Sequence, residues 1–288
     1  MQLLQLAPEV AGALGAGRPV VALETSIVGQ GLPAPYNLRA ARESEAAIRE
    51  EGAVPATVAV LDGRLRIGLS DADLERIAAG ATKVSARDLG PALTRGEVGA
   101  TTVAATMRAA AMAGIRFFAT GGIGGVHRGH PEDQSADLVE LGRTPVAVFC
   151  AGAKIVLDLR LTLERLESLS VPVLGYGCDE LPAFYTKHSG CPVGTRVDGP
   201  EEAAAVVKAV WETGGRGIVI AIPPPSDLDG AEELVQRAVG ELAGVTGPAL
   251  TPRLLARMAE LSGGRSLELN VDLVVNNARI AAQVAARY

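Results

Sequence analysis

The 288-residue chain has only three cysteines, Cys150, Cys178 and Cys191, an odd number with no C-x-x-C spacing. That argues against a disulfide framework and against a structural zinc site. No stretch approaches the roughly 18 uninterrupted apolar residues of a membrane helix. Residues Met1 to Pro19 also lack the basic flank and long apolar stretch of a signal peptide, so a cytoplasmic protein away from membranes is expected. Positive charge is in deficit: the net charge is −6 and the pI about 5.3, which argues against a nucleic-acid partner. No Pro/Ser-rich linker, charge run or fixed-period repeat divides the chain, and a single domain over residues 1–288 is expected. Aromatic residues make up only 3%.

What is present is alanine, which supplies much of the 48% hydrophobic content. Short apolar runs alternate with amphipathic stretches, the pattern of an α/β layered fold. Strands are expected at Val20–Leu23, Phe117–Ala119, Pro145–Phe149, Val171–Leu174 and Gly217–Ile222. Thr57–Leu61 and Leu65–Leu69 flank Asp62-Gly63, a hairpin signal that makes the central sheet mixed. Helices are expected from Asp71, with Ser70 as its cap, and at Thr101–Ala113, Pro200–Thr213 and Ala231–Ala243. Thr251-Pro252 marks another helix start, and a long C-terminal helix runs from Ser266. The expected fold is a three-layer α/β/α sandwich around a mixed sheet.

Ligands in such folds bind beyond the carboxyl ends of strands. Glu24, Thr120 and Lys154 each follow an apolar run at such an end. Thr120 opens a glycine loop, Gly121-Gly122-Ile123-Gly124-Gly125. It is neither a dinucleotide fingerprint, since His127 stands at the third glycine position, nor a Walker A loop, since no Gly-Lys-Ser/Thr follows. It is either a ligand loop or a site of tight packing.

Lysine is scarce: of 27 basic residues only Lys83, Lys154, Lys187 and Lys208 are lysines, leaving 23 arginines. An amine can lose its proton and form a Schiff base, which a guanidinium cannot do. Lys208 reads as a surface residue. Lys83 and Lys154 lie in apolar surroundings where desolvation lowers an amine pKa, or they snorkel from a sheet end. Glu24 is a general-acid candidate or a solvated strand-end residue. Asp133 and Asp137 either share a divalent cation or are plain acids around a Ser135 helix cap. His127 and His130 lack a strong metal spacing, and His188 reads as exposed.

Several segments together resemble the pseudouridine-5′-phosphate glycosidase family, also called indigoidine synthase A-like. They are Val21-Ala22-Leu23-Glu24-Thr25, Gly52-Ala53-Val54-Pro55-Ala56-Thr57 and Gly99-Ala100-Thr101-Thr102-Val103-Ala104. The most specific is Ala119 to Gly129, followed by Ser135-Ala136-Asp137-Leu138, Ala151-Gly152-Ala153-Lys154 and Asn276-Asn277-Ala278. They occur in order along nearly the whole chain.

The resemblance implies reversible cleavage of pseudouridine 5′-phosphate to uracil and ribose 5-phosphate by a manganese-dependent homotrimer. It implies Lys154 as the Schiff-base nucleophile, Glu24 as proton donor to the base, and Asp133 as metal ligand. Lys83, Val103, Ser135, Ala136 and Asp137 correspond to substrate-contacting positions, with Thr120, His127 and Asn277 as further contacts. The segment from His130 to Gln134 is shorter than the family pattern and lacks its aromatic residue, so Asp133 is aligned by counting back from Ser135. Two other readings use the same residues: an aldolase-like Schiff-base lyase on sugar phosphates, and a non-catalytic phosphosugar-binding protein.

Overall fold

The computed structural model describes residues 3–242 and 250–288, except for the side chains of 250–252. The chain begins β1 (Leu4–Leu6), α1 (Pro8–Gly15), β2 (Val20–Leu23), a π-helical turn (Ile27–Gly31), α2 (Tyr36–Glu50), β3 (Val54–Leu61), β4 (Arg64–Ile67) and α3 (Asp71–Ala79). It continues β5 (Thr82–Val84), α4 (Leu89–Arg95), β6 (Gly99–Thr101), α5 (Val103–Met112), β7 (Phe117–Ala119), β8 (Val126–His127), β9 (His130–Gln134) and α6 (Ala136–Leu141). Then come β10 (Ala147–Cys150), β11 (Leu157–Asp158), α7 (Leu159–Ser168), β12 (Val173–Tyr176), β13 (Thr195–Val197) and α8 (Pro200–Glu212). The last elements are β14 (Ile218–Ala221), α9 (Ala231–Glu241), α10 (Leu250–Leu261) and α11 (Arg265–Ala285).

Among the described residues, eleven strands form one sheet with the order β1-β4-β3-β2-β7-β10-β14-β12-β13, and β6 and β5 extend it beside β3. Pairing is parallel except where β3 meets β4 and β6. The sheet is therefore mixed, as the hairpin signal required. Asp62 and Gly63 take φ of 53° and 72°, the double left-handed turn that suits the twist of a two-residue hairpin.

Alternation along the central strands feeds two cores. Val20, Ala22, Phe118 and Val148 point to the face covered by α5, through Val103, Met107 and Ala110. Val21, Leu23, Phe117 and Phe149 point to the other face. There they meet Ala203 and Val207 of α8, Ile48 of α2, and the run Ala278, Ala281, Ala282 and Ala285 of α11. Alanines at helical spacing let α11 lie close on the sheet. Helices on both faces make this a three-layer α/β/α fold.

Ser70 caps α3 through a reciprocal pair with Asp73. Other boundaries differ from expectation. Thr101 to Ala113 is not one helix: Gly99–Thr101 is strand β6, and α5 starts at Val103. Thr101 stays extended because its buried hydroxyl donates to Val58 O at 2.7 Å. The end of the helix expected at Ala231–Ala243 and the capping role of Thr251-Pro252 lie outside the described residues, although α10 spans Leu250–Leu261.

Candidate active site

Strands β2, β7 and β10 run parallel, with Leu23 opposite Ala119 and Ala119 opposite Phe149. The residues that follow, Glu24 and Thr120, thus leave the sheet at the level of Cys150, the last residue of β10. Glu24 is only 8% exposed. Its two carboxylate oxygens accept the hydroxyls of Thr120 and Ser26, so it is a buried, hydrogen-bonded acid and not a solvated strand end. The turn behind it is fixed by Thr25, whose hydroxyl donates to Val58 O at 2.7 Å and accepts from Thr101 N at 2.9 Å.

The glycine loop is zipped to the segment after β10. Ala151 N donates to Gly121 O at 2.9 Å, Ile123 N to Gly152 O at 3.1 Å, and Lys154 N to Ile123 O at 3.1 Å. Asn277 on α11 donates its side-chain amide to Thr120 O at 2.8 Å. Its glycines allow close approach of protein to protein. A Cβ at Gly122 would lie 2.7 Å from the Phe184 ring, and one at Gly124 would lie 2.2 Å from Ser135 Oγ and 2.8 Å from Asp137 Oδ2. Of the two readings of this loop, tight packing accounts for these two positions.

Asp137 is a buried brace. Its Oδ1 accepts from Ala104 N at 2.9 Å and its Oδ2 from Gly124 N at 2.8 Å, which ties α5, and Val103 at its start, to the loop. Ser135 caps α6 by accepting from Asp137 N at 3.2 Å, and Ala136 contributes only backbone there. Asp133 sits elsewhere, on β9, with Oδ2 3.3 Å from His127 Nδ1. Each Asp137 oxygen accepts a backbone N–H, which favours the plain-acid reading of Asp137 over a cation shared with Asp133. Among the described residues, no group of three or more His, Cys, Asp or Glu is placed to hold a metal ion. The Asp133 side chain is 45% exposed, so it suits a hydrated divalent cation anchored through one carboxylate and completed by water or substrate oxygens.

Lys154 is half-buried just past β10, and Lys83, on β5, keeps much of its surface exposed, unlike the apolar setting expected for it. Desolvation, and then the positive charge of Lys154, push the Lys83 pKa below the ordinary lysine value, while Asp137 and Glu24 pull it back up. Lys154, Asp137 and Glu24 thus all lie within electrostatic reach of Lys83. Lys208 and His188 are exposed as expected, at 63% and 85%.

Two residues escaped the sequence reading. Ser26 shares Glu24 with Thr120, and the hydroxyl run Thr25-Ser26 after a strand end was its signal. Thr102, at the cap position of α5, is 9% exposed, yet its hydroxyl finds no partner among the described residues. A threonine at a helix start beside Val103 was the available clue.

Residues 9–287 match the family described as indigoidine synthase A like protein. A pseudouridine-5′-phosphate glycosidase of Nocardioides sp. is 52% identical, covering 99% of this chain and 97% of the relative. One from Rhodospirillum centenum is 57% identical, covering 99% and 92%. Among solved structures, the prealnumycin C-glycosynthase AlnA in complex with ribulose 5-phosphate superposes with a TM-score of 0.91 at 40% identity, covering 100% of this chain and 97% of its own. An indigoidine synthase A-like protein from Thermotoga maritima gives a TM-score of 0.91 at 30% identity, covering 99% and 96%. Fold, site and relatives define the class: an enzyme of carbon–carbon glycosidic bonds. The chain belongs to the pseudouridine-5′-phosphate glycosidase, or indigoidine synthase A-like, family.

Proposed function

We propose that this enzyme reversibly cleaves pseudouridine 5′-phosphate to uracil and ribose 5-phosphate through a Schiff base on Lys154. The observation that carries the reading is that the half-buried Lys154, past the end of β10, and the buried carboxylate of Glu24, past the end of β2, both act electrostatically on a second lysine, Lys83. Relatives above 50% identity bear the glycosidase name, and AlnA, a C-glycosynthase, holds a five-carbon sugar phosphate.

The base is attached through carbon, so protonating a glycosidic oxygen or nitrogen is unavailable. A lysine supplies the alternative. The Lys154 amine bonds to C1′ as the C1′–O4′ bond opens the ring, and the proton that the nitrogen gives up ends on O4′ as a hydroxyl. Its nitrogen lone pair then expels the base as the C1′–C5 bond breaks, and Glu24 delivers a proton to C5. Water hydrolyses the iminium, returning the free amine and ribose 5-phosphate.

Glu24 suits proton transfer because both oxygens already sit in hydroxyl hydrogen bonds that can reorient when its protonation changes. Lys83 and the first turns of α5 and α6, at Val103, Ser135 and Ala136, would receive the anionic sugar phosphate. Thr120, His127 and Asn277 would line the remaining walls. Asp133 would hold a divalent manganese ion, which when bound would supply positive charge to offset the negative charge of the anionic substrate.

A cytoplasmic homotrimer completes the proposal, on the strength of the family resemblance. Among the described residues, no helix is long and apolar enough to cross a membrane. The decisive experiment is incubation with pseudouridine 5′-phosphate and chromatography for uracil. Release of uracil supports the reading, while binding without release returns the chain to the phosphosugar-binding alternative.

A further inference from the structure

The proposed reaction makes no direct use of Arg128, although it lies in the most specific run of the sequence. Arg128 occupies the turn between β8 and β9, beside Gly129 at φ 74°. Strand β8 pairs antiparallel with β11, placing His127 opposite Leu157. This delivers the guanidinium to the segment that follows Lys154. There Nε donates to Leu157 O and Nη2 to Ile155 O, each at 3.1 Å. The remaining edge meets Glu232 of α9, with Nη1 donating to Oε1 at 2.7 Å and Nη2 to Oε2 at 3.4 Å.

One planar fork therefore holds two carbonyls of the Lys154 segment and one carboxylate. Ile155 and Leu157 are each 2% exposed, and carbonyls in such surroundings require donors. The other end of the segment is already fixed by Lys154 N on Ile123 O at 3.1 Å, and it is closed on itself by Leu157 N on Lys154 O at 2.9 Å. An ordinary surface ion pair would need only Glu232, which is 52% exposed. The two carbonyl contacts turn the side chain inward, toward the backbone of the nucleophile.

We propose that Arg128 is a positioning residue for Lys154: it fixes the Ile155–Leu157 turn and with it the point from which the amine reaches the sugar. The proposal rests on the reading of Lys154 as nucleophile. The partners of Arg128 are Ile155 O, Leu157 O and Glu232, so it acts through the backbone of the Lys154 segment. Lysine cannot substitute, because a point ammonium cannot match the planar set of donors that spans two carbonyls and a carboxylate. Misplacing a reacting group by an ångström costs on the order of a hundredfold in rate.

The test compares wild type, Arg128→Lys, Arg128→Ala and Glu232→Gln by steady-state uracil release and by borohydride trapping of Lys154 with ribose 5-phosphate. Arg128→Lys is expected to lose about thirtyfold to a hundredfold in kcat with KM within about threefold, and trapping should slow in step. Millimolar guanidinium should partly restore Arg128→Ala. Glu232→Gln, which keeps the carbonyl contacts, should stay within about twofold of wild type in kcat. Wild-type kcat and trapping in Arg128→Lys would overturn the proposal, as would a change confined to KM or an equal kcat loss in Glu232→Gln. If Arg128→Ala does not fold, the lysine variant decides alone. Should the wild type release uracil but trap no adduct, the Schiff-base reading fails by itself, and the kcat comparison still decides the role of Arg128.

Discussion

Thr120 donates its hydroxyl hydrogen to Glu24, joining the ends of β7 and β2 through side chains 96 residues apart in the chain. Ser26 holds the other carboxylate oxygen. Glutamine at position 24 keeps the shape, and either hydroxyl can turn to accept from its amide, so Glu24→Gln should fold and bind substrate. It has no proton to give. Turnover should fall by about a hundredfold or more, in synthesis as in cleavage, because the same group serves as the base in reverse. Rates near wild type in both directions would remove Glu24 from the proposed mechanism.

Lys154→Arg tests the nucleophile directly. The charge persists, but the guanidinium cannot form an iminium. Activity should fall by several orders of magnitude, and the borohydride adduct seen by peptide mass mapping should vanish. An adduct on another lysine would reassign the nucleophile, with Lys83 as the first candidate.

For Asp133, the expected result of chelation is loss of uracil release and its recovery on adding Mn²⁺. Asp133→Asn should weaken Mn²⁺ affinity, read by isothermal titration, while thermal stability stays within about half a kcal/mol, since the residue is a half-exposed strand position. Full activity in metal-stripped enzyme would leave Asp133 as merely the neighbour of His127.

Lys83 carries a pH prediction. Its pKa lies below the usual lysine value in the folded chain, so between the two values the unfolded chain binds the extra proton and stability rises with pH through that window. Below the folded pKa the cost of the desolvated ammonium is present in full. Lys154→Met removes a positive neighbour and should raise the Lys83 pKa, whereas Asp137→Asn removes an attraction and should lower it further. With four lysines in the chain, carbon-13 NMR of the methylated amines can follow each one. Identical Lys83 titrations in wild type and Lys154→Met would show that the two amines do not interact.

Much of this was legible because it rests on local rules. The hairpin at Asp62-Gly63, the cap at Ser70 and the strand ends before Glu24, Thr120 and Lys154 follow from turn chemistry and short apolar runs. Helix α2 was not legible. Its buried residues are Asn37, Ala40, Ala41, Ser44, Ala47 and Ile48, so its inward stripe is small and partly polar rather than greasy and the helical period hardly registers in hydrophobicity. Strand β9 was hidden as well, since His130-Pro131-Glu132-Asp133-Gln134 is exposed or half-exposed throughout and shows no alternation.

In the site, residue type was readable but partnership was not. Asp133 and Asp137 have the same chemistry and a helical spacing. Only the fold shows that one is buried and accepts the Ala104 and Gly124 amides while the other is half-exposed. The burial of the Thr102 hydroxyl, without a partner among the described residues, and the carbonyl contacts of Arg128 depend on long-range placement that no spacing rule encodes.

The amide of Asn277 on Thr120 O has a consequence for the order of synthesis. Every residue proposed for chemistry, from Glu24 to Lys154, is translated before α11, the helix that anchors the loop between them. A nascent chain that has exposed the sheet up to β14 holds the lysines and the carboxylate but lacks the anchor on Thr120 O, and one face of the sheet has only α2 and α8 to cover it. Competence therefore arrives late in translation, with the docking of one alanine-lined helix. A truncated product would be inactive and also sticky, which makes it a natural substrate for chaperones and proteases.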